Sequence, residues 1–107
     1  MKKILFMLAT AALGFSPLVH ANGNFEAGKA KSTTCAACHG ADGVSSVPSF
    51  PKLAGQNRDY LVQALKDYKA GKRKNPIMAG QVQALSETDV LDLALYFSKL
   101  KGLNLKY

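Results

Sequence analysis

Two cysteines and a histidine fall within the five residues Cys35-Ala36-Ala37-Cys38-His39, and they include the only cysteines in the chain. On a helix, positions three and four apart share a face. One short turn would therefore present both thiols and the imidazole to a single object. Three chemistries use such a set. Thiol–disulfide exchange uses a C-x-x-C pair beside a βαβ pattern, and no such pattern is readable here. A structural zinc site takes four ligands, more than this cluster supplies. Covalent haem attachment uses C-x-x-C-H, with the thiols forming thioethers to the vinyl groups and the histidine ligating iron.

The choice among them depends on where the chain goes. Its start, MKKILFMLATAALGFSPLVHA, pairs Lys2 and Lys3 with an apolar run from Ile4 to Phe15 and ends in Val19-His20-Ala21. That is the layout of a secretory signal peptide. The apolar run is shorter than the roughly 20 residues that span a bilayer, so residues 1–21 are expected to be cleaved after Ala21 rather than kept as an anchor. Residues 22–107 then form one domain, 86 of the 107 residues, and the loss of Lys2 and Lys3 lowers the formal net charge from +7 to +5. The expected location is the periplasm. A disulfide persists in that compartment, but a small exported domain also gains from a cofactor it cannot lose. After cleavage His39 is the sole histidine, which leaves zinc without ligands and favours one covalently bound haem c.

Iron held by one histidine needs a sixth ligand or keeps an open position. Met78 is the only methionine of residues 22–107 and stands in the Pro/Gly-flanked stretch NPIMAG, read as a loop. A lone methionine is ordinarily core filler. The loop setting and the lack of a rival thioether favour an axial ligand, with a deprotonated lysine as its replacement at high pH. A neutral thioether favours ferrous iron and raises the reduction potential. With both axial positions filled, no substrate reaches the iron, as expected of an electron carrier rather than an enzyme.

The elements that must position these groups are helical, and no stretch reads as strand. One helix is expected from about Phe25 into the cysteine motif, weakened by Thr33 and Thr34. A second, RDYLVQALKDYKAG, is capped by Asn57 and stops near Gly71. The third, SETDVLDLALYFSKLKG, has Ser86 and Asp89 in capping-box positions and an apolar stripe of Val90, Leu93, Ala94, Phe97 and Leu100. Two long connections, GADGVSSVPSFPKLAGQ and KRKNPIMAGQVQAL, lie between them. Loops of that length in so small a domain are usually functional. Three main helices with such loops make a poor core alone and good walls around something flat and apolar.

At this point the residues resemble a family. CAACHGADG, PSFPKLAGQ, YLVQALKDYKAGKR, Met78 and LSETDVLDLALYF follow in order the pattern of class I c-type cytochromes, most like one haem domain of the bacterial di-haem cytochromes called c-four, or their single-haem relatives. The resemblance implies an all-α, small class I cytochrome c fold wrapped around one haem. It implies that Cys35 and Cys38 carry the thioethers and that His39 and Met78 are the axial ligands. It further implies that the Pro48 carbonyl accepts the other N–H of His39, a bond that would orient the imidazole and strengthen it as a donor. Gly28 and Tyr96 fall where the first and last helices cross in such proteins. Phe50 and Leu53, with Ala54, would line the haem pocket, a position that core packing explains equally well. There is one CxxCH rather than two, so transfer between two haems within one chain is excluded, and the protein would act as a monomer or homodimer.

Lys66, Lys69, Lys72, Arg73 and Lys74 cluster at the end of the second helix and just beyond it. Such charge is favourable at a helix C-terminus by itself. It would also steer the protein towards acidic-surfaced redox partners, an electron donor and an acceptor, and allow weak association with an anionic membrane surface. Nucleic acid is not an expected partner of an exported haem protein. The expectation is a soluble periplasmic monohaem one-electron carrier between respiratory partners. The alternatives are a haem-based gas binder or sensor with a labile sixth ligand, an electron-transfer subunit of a larger oxidoreductase, and a thiol oxidoreductase.

Overall fold

The computed structural model describes residue 7, residues 9–14 and residues 21–102; the other positions, and with them most of the expected signal peptide, lie outside the described residues. Among these, five helices and no strand are found: α1 (Phe25–Lys31), α2 (Thr33–His39), α3 (Arg58–Lys69), α4 (Pro76–Val82) and α5 (Glu87–Lys99). None is long and apolar enough to cross a membrane.

The single first helix expected from sequence is two short ones. Ser32 marks the break: its hydroxyl and its amide both turn back to the Lys29 carbonyl. α3 starts at Asn57, whose side chain accepts the amides of Asp59 and Tyr60. The capping box of α5 forms as read, with Ser86 accepting the Asp89 amide and Asp89 accepting the Ser86 amide. α4 was not expected. Asn75 accepts the amides of Ile77 and Met78, and Pro76 occupies the first helical position, where its missing N–H costs nothing.

α1 crosses α5 at Gly28. A Cβ there would fall 2.7 Å from the carbonyl carbon of Asp92 and 2.8 Å from Cβ of Tyr96, so only glycine admits this approach. Tyr96 packs its ring 5.2 Å from Phe25 and 5.1 Å from Phe97. α3 lies on the same helix, and Leu61, Leu93, Ala94, Tyr96 and Phe97 form the core. Gly28 and Tyr96 therefore meet at the crossing, as the resemblance implied.

Polar groups fasten the crossing. Asp92, only 3% exposed, accepts from the Asn24 amide at 2.7 Å and from Lys31 Nζ at 2.8 Å. Lys31 also pairs with Asp89 at 2.6 Å. The hydrogen bond from Lys31, followed by that from the Ser86 amide, holds the Asp89 carboxyl below its ordinary 3.8. The bonds to Asp89 and then Asp92 hold the Lys31 ammonium above its ordinary 10.5. A lowered carboxylate contributes stability above its unfolded pKa and loses it as pH falls through the folded one. A raised ammonium contributes below its unfolded pKa and loses it as pH rises through the folded one. The contribution of this cluster to the thermal midpoint is thus expected to be level from about pH 5 to about pH 10 and to fall on both sides. Asp89→Asn should shallow the acid limb and Lys31→Met both limbs; identical profiles for all three proteins would refute the assignment.

Candidate functional site

α2 carries the cysteine motif, with Cys35 and Cys38 on its third and sixth residues and His39 on its last. Both cysteines are half-buried free thiols. Cys35 packs against the core, and burial pushes its thiol above the ordinary range. A thiol shifted in that direction is a poorer exchange nucleophile at neutral pH than an ordinary one.

His39 is 6% exposed, and its Nδ1 lies 2.7 Å from the Pro51 carbonyl oxygen. A carbonyl only accepts, so Nδ1 carries a proton and donates it, which in the neutral ring leaves the lone pair on Nε2. This corrects the expectation for Pro48. Pro48 is exposed on a groove of about 490 Å³ shared with Ser45, Ser46, Val47, Phe50, Pro51 and Lys52. The reason is the path of the loop. One turn closes from the Gly43 amide to the Gly40 carbonyl and a second from the Phe50 amide to the Val47 carbonyl. Pro48 occupies the second residue of the latter turn, a position proline favours, and only after it does the chain return to His39.

That return is fixed from the other side. The Gly43 carbonyl accepts the amides of both Leu53 and Ala54, and the Gly55 amide donates to Phe97 on α5. Gly43 sits at φ 75°, and a Cβ there would meet the Ala54 amide at 2.9 Å. The loop is thus a closed, anchored strap. Phe50 stands edge-on to His39, ring centres 6.5 Å apart, and Leu53 packs against the core. The strap brings both to the walls that carry α2.

Met78 stands on a separate wall. It is half-buried on α4, not in a loop, and its amide is held by the Asn75 side chain at 3.0 Å. The Asn-Pro pair just ahead was a helix-start signal outweighed by the Gly/Pro content of the stretch. Its neighbour Ile77 is 60% exposed.

The basic cluster is less free than its sequence suggests. Lys66 pairs with Glu87 at 3.0 Å, Lys69 donates to the Leu85 carbonyl, and Arg73 is taken up by Tyr60 and Tyr68. Only Lys72 and Lys74 of the five make no side-chain bond among the described residues.

The donor set fits a covalently held haem. Two unjoined cysteines share a helix face with an imidazole whose Nδ1 is committed to a carbonyl. A thioether is held on another helix, and Phe50 and Leu53 add apolar surface. Among the described residues no group of three or more His, Cys, Asp or Glu could hold a bare metal ion.

Comparison with known proteins agrees. The family model described as "Cytochrome c" matches residues 25–101. The chain is 48% identical over 101 residues to cytochrome c4 of Pseudomonas aeruginosa, covering 94% of this chain and 50% of that protein. It is 42% identical to cytochrome c-554(548) of Halomonas halodenitrificans, covering 71% of this chain and 95% of that one. A crystal structure of reduced recombinant cytochrome c4 from Pseudomonas stutzeri superposes with a TM-score of 0.72 at 47% identity, over 76% of this chain and 47% of that one. The chain spans about half the length of the cytochrome c4 relatives it matches.

Proposed function

The chain belongs to the cytochrome c family and carries covalently bound haem c, and from that premise we propose that it is a periplasmic monohaem one-electron carrier with His39 and Met78 as axial ligands. Bound haem supplies a one-electron couple at its iron. The chain's own residues hold that group and tune its surroundings. Cys35 and Cys38 fasten it through thioethers. The Pro51 carbonyl takes the Nδ1 proton of His39, which orients the ring and enriches the donor strength of Nε2. Met78 offers a soft, neutral sulfur that favours the reduced state, and Phe50 and Leu53 keep water from the site.

One observation carries this reading. A buried histidine, with one nitrogen locked on a carbonyl, ends a helix bearing two cysteines that are not joined to each other. Partners are proposed to be acidic-surfaced redox proteins, drawn by the overall positive charge and by Lys72 and Lys74 rather than by the whole basic cluster. The signal-peptide layout of residues 1–21 supports export.

The test is the visible spectrum of periplasmically expressed protein, oxidised and dithionite-reduced, with and without carbon monoxide. A sharp low-spin spectrum indifferent to the gas is expected. A spectrum that shifts readily would favour the ligand-binding alternative.

A further inference from the structure

Arg73 lies outside the proposed haem ligand set, yet it closes the segment from which α4 begins. Its guanidinium carbon lies 5.0 Å from the centre of the Tyr68 ring, and its Nη1 donates to the Tyr60 hydroxyl at 3.1 Å. Tyr60 and Tyr68 sit two turns apart on α3, so one side chain spans both. The backbone follows. The amides of Lys72 and Arg73 donate to the Asp67 carbonyl at 2.9 and 3.1 Å, folding the chain back over the end of α3. Two residues later Asn75 starts α4 and accepts the amide of Met78.

We propose that Arg73 is a positioning residue for Met78: its planar clamp across Tyr60 and Tyr68 fixes the chain entering α4 and thereby the thioether. The proposal rests on the reading of Met78 as an axial ligand. Arginine suits the task because its flat guanidinium stacks on a ring while still donating in plane, which a lysine ammonium cannot do. This separates the clamp from a docking role, for which charge alone suffices. The clamp is exposed, so its worth lies at the lower end for such contacts. Exposure also means that replacing Arg73 leaves the core intact.

The experiment uses the holoprotein. Two properties are followed in wild type, Arg73→Gln, Arg73→Lys, Tyr60→Phe and Met78→Ala: the weak red charge-transfer absorption of a ferric iron–thioether bond, and the rate at which excess imidazole displaces the thioether. Arg73→Gln and Arg73→Lys should each speed displacement by about fivefold and weaken the absorption. Tyr60→Phe, which leaves every charge in place, should speed it by about twofold. A rate unchanged in Arg73→Gln, or restored to wild type in Arg73→Lys, would overturn the clamp while leaving the axial assignment standing. A wild type that lacks the absorption and takes up imidazole as fast as Met78→Ala would overturn the axial reading itself, and the clamp with it.

Discussion

Replacing Gly28 by valine is expected to lower the thermal midpoint of the holoprotein by more than about 10 °C. The atoms that a side chain would strike are backbone in the middle of α5, at Asp92, and the Cβ of Tyr96. No rotamer change relieves a clash with a helical carbonyl, so α1 must move away. Moving it disturbs more than packing. Asp92 is the residue that holds the Asn24 amide and Lys31 Nζ, so separation would strand a buried carboxylate and open the Phe25–Tyr96 contact. Overpacking costs about 1–3 kcal/mol where side chains can adjust, and each kcal/mol is worth roughly 4–8 °C in a domain of this size. With backbone against backbone the upper end or beyond applies. Gly80→Ala is the matched control, since nothing lies within 4 Å of an added carbon there and alanine is the better helix former by about 1 kcal/mol. It should melt at or above the wild-type temperature. A Gly28→Val protein melting within about 2 °C of wild type would mean that the helices do not cross as described.

Met78→Ala is expected to turn a reduced protein indifferent to carbon monoxide into one that binds it stoichiometrically, and to lower the reduction potential. The two readouts have separate causes. Removing the sulfur leaves no other methionine in residues 22–107 to close the sixth position, so the gas finds that position open. Removing a soft neutral donor also takes away a preference for the reduced state. The structural cost is small, because Met78 is half-buried and lies outside the core cluster, and alanine leaves intact the amide that Asn75 holds. Folding and ligation are therefore separable in this variant: helix content should stay constant while the gas response appears. If the variant ignores carbon monoxide and keeps the parental potential, another group closes the site, and the His39/Met78 assignment fails.

The sequence by itself determined what is local. Cys35, Cys38 and His39 share a face because one turn of helix puts positions three and four apart together. Asn57, Ser86 and Asp89 cap their helices because each side chain reaches only the first turn it precedes. The stripe on α5 faces the core for the same reason of period. Even the missed α4 announced itself in Asn75 and Pro76; the signal was local, and the glycine beyond it weighed too heavily. Tertiary structure decided what depends on the path between elements. The family resemblance implied Pro48 as the partner of His39, but two turns consume the intervening length, and closure onto Gly43 and Phe97 delivers the Pro51 carbonyl instead. Asp92 sits in the apolar helix as an ordinary acidic residue until Asn24, 68 positions away, and Lys31 meet it. Five cations read as one docking rim, and three of them turn out to be tethered to Glu87, Leu85 and a pair of tyrosines. A side chain's partners across a fold are set by how loops close, and loop closure is decided by contacts far apart along the chain.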